Sequence, residues 1–180
     1  MLIEDLIPPA DDKQLLSFCA SICPDVRPFL VPVRPQDGCL IARCFPNVEQ
    51  MIRSSAGSLI QGWDISHIPK IHLEATWHAV WKSPHGDIVD VTPQESGQSV
   101  ILFLPDVHLA YNGSLVPSKR FSIGDIALIR RYWDLSDAIN KLRLELWSAG
   151  FQRGHPVWRQ RLEGMNAELL ALKWRLQKAA

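Results

Sequence analysis

Residues 74–93 read Glu-Ala-Thr-Trp-His-Ala-Val-Trp-Lys-Ser-Pro-His-Gly-Asp-Ile-Val-Asp-Val-Thr-Pro. With the residues just before it, the first half of this stretch alternates. Ile71, Leu73, Ala75, Trp77, Ala79 and Trp81 are apolar, His72, Glu74, Thr76, His78 and Lys82 are polar, and Val80 alone breaks the rule. A period of two over a dozen residues predicts a half-buried strand, because successive side chains leave opposite faces. Ser83-Pro84-His85-Gly86 predicts a turn, since Pro presets φ and Gly accepts positive φ. Asp87 to Val91 is then the returning strand of a hairpin. Folding there sets Asp90 opposite, or diagonally beside, His78 or Val80, at cross-strand neighbour distance.

Working outward toward the N-terminus, Leu59 to Ser66 predicts another strand, containing Gly62-Trp63. Before it, Cys44-Phe45-Pro46-Asn47-Val48-Glu49-Gln50-Met51-Ile52-Arg53 predicts a helix. Pro46 suits a first helical position, Val48, Met51 and Ile52 form an apolar face, and Gly57 ends it. Cys44 therefore sits at, or just before, a helix N-terminus. Further back, Asp11-Asp12 caps a short helix carrying Leu15, Leu16, Cys19 and Ile22. Phe29 to Val33 predicts a strand that Pro32 pushes to an edge.

Beyond the hairpin, Ser99 to Leu104 predicts a further strand, and residues 107–121 read as irregular. The character then changes. Leu128, Tyr132, Leu135, Ile139, Leu142 and Leu146 recur at steps of four and three. The pattern breaks at Gly150 and Gly154-His155-Pro156, then resumes with Leu162, Met165, Leu169, Leu172 and Leu176. Two helices forming a hairpin with a coiled-coil-like seam fit this spacing. The reading is an α+β chain: residues 1–110 form the core, an antiparallel sheet with a Cys-bearing helix, and 111–180 a helical hairpin. The hairpin packs on that core, or offers a dimer or partner-helix surface along residues 125–178.

Composition narrows the function classes. Lys plus Arg and Asp plus Glu both number 19, with no basic run, so no nucleic-acid partner is expected. No stretch approaches the roughly 20 apolar residues that a membrane span needs, so no membrane partner is expected either. The first residues carry acid where a secretion signal carries positive charge. A cytoplasmic location follows as the expectation, with four reduced cysteines.

A thiol nucleophile needs an environment that favours the thiolate, a base for its proton, and a group to orient that base. Cys44 at a helix start meets the positive end of the helix dipole and unpaired backbone N–H groups, which also suit an oxyanion. His78 would be the base and Asp90 the orienting acid. Asn47, Trp63 and Glu74 are the candidate substrate or oxyanion contacts: Asn47 as a hydrogen-bond donor, Trp63 as a groove wall, Glu74 at one end of a cleft. Glu74 lies four residues, about 13 Å, from His78 along the same strand face.

The order Cys on a helix, His on a strand, Asp on the next strand resembles the transglutaminase-like and papain-like cysteine enzymes. His78-Ala-Val-Trp81, the turn with Gly86, and Val89-Asp-Val-Thr-Pro93 are similar to the His-strand and Asp-strand signature of transglutaminase-like domains. The wider pattern Cys44-x-x-Asn47-Val48, Gly62-Trp63, Glu74-x-x-x-His78-Ala-Val-Trp and Asp90-Val-Thr-Pro93 also looks like that of an uncharacterised bacterial family. The likeness covers residues 44–93. It implies a cysteine-dependent hydrolase or acyltransferase acting on a peptide or a small acyl or amide substrate. Cys44, His78 and Asp90 would be the catalytic set, and no cofactor is implied.

Blander readings stand beside these. Cys44 alone fits a small core residue, Asp90 a turn cap near Thr92, Asn47 a partner for local backbone, and Glu74 half of an ion pair. Trp77 and Trp81 are most simply core. A metal is the rival chemistry: His72, Glu74 and His78 share a strand face, with His67, His85 and Asp87 nearby. Cys19, Cys23, Cys39 and Cys44 could imitate a four-thiolate zinc site. A non-catalytic binding or adaptor module on the same fold is the remaining alternative.

Overall fold

In the computed structural model the hairpin forms between β3 (His72–Lys82) and β4 (Ile88–Val89), pairing Trp81 with Val89 and Lys82 with Ile88. The structure describes residues 6–9, 11–94, 96–108, 111–112, 116–124, 126–151 and 154–179. Ser83 makes the turn. Its N–H donates to the Asp87 carbonyl at 2.8 Å, and its hydroxyl accepts from the N–H groups of His85 and Asp87. Gly86 sits at φ +95°, the left-handed conformation that glycine adopts without a steric penalty.

Four more strands complete an antiparallel sheet: β1 (Phe29–Pro32), β2 (Ser58–Ile68), β5 (Val100–Pro105) and β6 (Lys119–Ser122). The order is β1-β5-β2-β3-β4, with β6 also on β3. β6 falls in a stretch that the sequence reading leaves irregular, because four residues of mixed polarity carry no usable period. The two end strands meet. Just past them, Val33 bridges Asp90, the Asp90 N–H donates to the Pro32 carbonyl, and the Arg34 N–H donates to the Asp90 carbonyl. The sheet thus curls until its edges are joined, which leaves few ladder groups unpaired there.

Curling buries both faces of β3 from Trp77 to Val80, where the alternation predicts one; Thr76 and Lys82 remain exposed. Leu73, Ala75, Trp77 and Ala79 join the larger core, with α1 (Lys13–Ile22) and α2 (Cys44–Ser55) laid over it through Phe18, Phe45 and Val48. Val80 packs inside the curl with Val31, Ile101 and Phe103, so the one exception to the alternation is a second core position. Asp12 caps α1 by accepting the Leu15 N–H at 2.9 Å.

Gly62 is where β2 and β5 approach most closely. A Cβ there would lie 2.3 Å from the Leu104 carbonyl oxygen and 2.9 Å from the Pro105 Cα, both main-chain atoms that side-chain rotation cannot move. Overpacking typically costs about 1–3 kcal/mol, and backbone displacement puts this site at the upper end. Gly62→Ala therefore lowers the unfolding free energy read from urea melts by roughly that amount, whereas Gly86→Ala, with open space around it, shows only the smaller cost of its positive φ.

Residues 69–72 and 122 onward form a second compact unit. The Ile71 carbonyl accepts from the N–H groups of Ile123 and Gly124, and His72 Nδ1 accepts from the Trp133 indole at 2.8 Å. Helices α3 (Ile126–Ser148) and α4 (Pro156–Ala179) pack through Ile139, Leu146, Trp158 and Leu162. Among the described residues no helix is long and apolar enough to cross a membrane.

Candidate active site

Cys44 is the first residue of α2, preceded by Arg43, which offers no side-chain cap. Pro46 has no N–H, and the Asn47 N–H donates to the Arg43 carbonyl at 2.9 Å. The N–H groups of Cys44 and Phe45 are thus the first-turn donors without an intrahelical acceptor. Cys44 is partly exposed, whereas Cys19, Cys23 and Cys39 are buried; all four are free thiols.

Cys44 stands close enough to His78 to act on its ring, helping to raise the imidazole's pKa. His78 Nε2 lies 3.1 Å from Asp90 Oδ2, which leaves Nδ1 as the ring nitrogen to serve the sulfur. The hairpin register accounts for the second contact. Continued one step past Trp81–Val89, it sets Asp90 beside Val80 and diagonal to His78. Asp90 is fully buried and saturated: Oδ1 accepts the Thr92 N–H at 2.9 Å and Oδ2 accepts the Gln94 amide at 2.7 Å.

Charge balance follows from this geometry. Burial alone would lower the pKa of His78, yet the negative sulfur of Cys44 and the Asp90 carboxylate, with hydrogen bonds to both, raise it well above its ordinary 6.5. Burial would likewise raise Asp90, but the His78 charge and hydrogen bond, the Thr92 N–H and the Gln94 amide hold it below its ordinary 3.8. Cys44 and Asp90 thus both act on the His78 ring. The other thiols differ. Burial pushes Cys19 and Cys23 up to about 11, and burial also raises Cys39.

The remaining candidates take other places. Asn47 is 3% exposed and fully committed. Its Oδ1 accepts the Leu40 N–H at 3.0 Å, and its Nδ2 donates to the Leu40 carbonyl at 2.8 Å and to Thr92 Oγ1 at 3.1 Å. No amide proton is left for an oxyanion, so the reading of Asn47 as an oxyanion donor is corrected to a backbone partner. Trp63 is 0% exposed. Its indole donates to Asp106 Oδ2 at 2.9 Å, and its ring meets Trp77 edge-on at 4.9 Å. It walls no groove, because the close β2–β5 approach at Gly62 turns it into the core. Glu74 accepts from Arg120 Nε at 2.8 Å, the ion-pair alternative.

The metal readings are corrected as well. His72 accepts from Trp133, Glu74 pairs with Arg120 and His78 with Asp90. Among the described residues no three His, Cys, Asp or Glu side chains gather to hold a metal ion. That covers the four-cysteine set too.

Gln94 escapes the sequence reading as part of the site, whereas the turn-cap reading of Asp90 near Thr92 is the contact its Oδ1 makes. The signal for Thr92 was present, since an Asp whose carboxylate accepts the N–H two residues on is the usual start of an Asx turn, and Asp-x-Thr-Pro fits it. Gln94 carries no such mark. No family model, curated protein or solved structure matches this chain.

Proposed function

We propose that the chain is a cysteine-dependent hydrolase or acyltransferase acting on an amide or related acyl bond of a peptide or small molecule. The observation that carries this reading is His78 held 3.1 Å from the buried Asp90 carboxylate, with Cys44 beside its ring and its pKa raised by both. The order of these residues on helix, strand and strand is also the ground of the likeness to transglutaminase-like and papain-like enzymes. A reducing compartment such as the cytoplasm, in which four thiols persist, belongs to the proposal.

In this mechanism the Cys44 sulfur attacks the carbonyl carbon, and the carbonyl electrons move onto oxygen. The Cys44 and Phe45 N–H groups, at the positive end of α2, receive that oxyanion. His78 gives its proton to the departing amine or alcohol as the carbonyl re-forms, which leaves a thioester. It then takes a proton from water or an acceptor amine, whose attack on the thioester returns the sulfur. Asp90 fixes the ring so that Nε2 points at the carboxylate and Nδ1 at the sulfur.

p-Nitrophenyl acetate tests the first half directly. The intact protein releases a burst of nitrophenolate stoichiometric with enzyme and gains one acetyl group on Cys44 by mass spectrometry. Cys44→Ala gives neither, and His78→Ala slows the burst by about 10²–10⁴. A wild-type trace indistinguishable from that of Cys44→Ala would end this reading.

A further inference from the structure

We infer that Asn47 is a positioning residue that ties the nucleophile's helix to the loop of the orienting acid, an inference that rests on the catalytic reading of Cys44, His78 and Asp90. Its amide pairs with both main-chain polar groups of Leu40, as a strand residue would. Its own N–H donates to the Arg43 carbonyl. One residue therefore grips residues 40–43 at both ends. Within that grip Ala42 holds φ +58°, a left-handed conformation unfavourable for a residue with a Cβ. Such a conformation persists only where the surroundings over-determine it. The next residue but one is Cys44, so the gripped loop sets how the chain enters α2 and where the sulfur stands.

The second Nδ2 proton goes to Thr92 Oγ1 at 3.1 Å, and the Thr92 N–H goes to Asp90 Oδ1 at 2.9 Å. Asn47 is one helical turn from Cys44. The links close into a ring: Cys44, the first turn of α2, Asn47, Thr92, Asp90, His78 and back to the sulfur. All of these side chains but the sulfur's are buried, so each bond is made where water cannot substitute for it. A helix start that slid against the Asp90 loop would part sulfur from imidazole; the Asn47–Thr92 bond opposes that slide.

Thr92 gives the clean test, because it touches neither substrate nor sulfur. Thr92→Val keeps the shape and the N–H to Asp90 but removes the acceptor, whereas Thr92→Ser restores it. In the full chain, Thr92→Val slows alkylation of Cys44 by iodoacetamide about two- to tenfold, the range expected for one buried hydrogen bond. It also shifts the His78 ring proton resonance, and Thr92→Ser returns both toward wild type. Thr92→Ala serves equally if the valine methyl prevents folding. A loss of thermal stability with the Cys44 rate and the His78 signal unchanged overturns the positioning role. So does a Thr92→Ser variant as slow as Thr92→Val. If instead wild-type Cys44 reacts no faster than Cys39, the catalytic reading itself fails and this inference goes with it. A fast wild-type Cys44 that His78→Ala slows and Thr92→Val does not sinks the inference alone.

Discussion

At about pH 7.5, iodoacetamide alkylates Cys44 on the order of a hundredfold or more faster than Cys19 or Cys23, and His78→Ala removes most of that lead. The ratio comes first from the slow partners. A thiol raised to about 11, as Cys19 and Cys23 are, is thiolate in roughly one part in three thousand at that pH, and only the thiolate reacts. Burial then hinders the reagent further. Cys39 is buried and raised as well. Cys44 is partly exposed, it begins a helix whose dipole favours a negative sulfur, and its neighbour is an imidazole raised well above its ordinary value. Peptide mass spectrometry over a time course reads all four sites in one sample. Equal labelling of Cys44 and Cys39, or a Cys44 rate indifferent to His78→Ala, would show that the sulfur and the ring do not work together.

That His78 and Asp90 meet was readable from the chain because each rests on a local rule. Alternation pointed to β3 and Ser-Pro-His-Gly to its turn, and together they placed Asp90 opposite or diagonal to His78 or Val80, among which the register selects the diagonal to His78. The start of α2 followed from Pro46 and the apolar positions after it. The helical hairpin of α3 and α4 was legible for the same reason, a sustained period. What failed was everything decided by closure in three dimensions. The curl that joins Val33 to Asp90 has no signature in either segment, so the second buried face of β3 looked like the one error in an alternating strand. Trp63 stood beside a glycine, a common mark of a binding surface. The same glycine instead admits the β5 backbone and buries the indole. β6 is short, and the partner of Glu74 lies on it, so neither the strand nor the Glu74–Arg120 pair could be named from spacing. Asn47 fell between two readings because an amide in a first helical turn can face a ligand or a loop, and only the position of Leu40 decides which.

Asp90→Asn leaves the chain folded but destabilises it by about 2–3 kcal/mol near pH 5–6, and slows turnover by on the order of a hundredfold or more. The substitution keeps one acceptor oxygen, enough for the Thr92 N–H. Its amide nitrogen, however, meets two groups that had donated to Oδ2, the Gln94 amide and His78 Nε2, so donors face donors in a site without water. The pH dependence identifies the cause. Asp90 is depressed below its ordinary 3.8 in the fold, so its contribution is present above that value and is lost as the pH falls through the folded pKa. His78 is raised above its ordinary 6.5, so its contribution is complete below 6.5 and is lost as the pH rises through the folded pKa. The two overlap between roughly pH 4 and 6.5, where wild type exceeds Asp90→Asn by most. The difference narrows on either side of that window, on the acid side as Asp90 takes its proton and on the alkaline side as His78 loses its own. Thermal melts of both proteins from about pH 3 to 10 trace this curve. A difference that stays constant across the range would mean that Asp90 supports the fold through hydrogen bonds alone. A carboxylate in that role would not hold His78 charged, and the ring would then have to take the thiol proton of Cys44 as base before giving it to the leaving group.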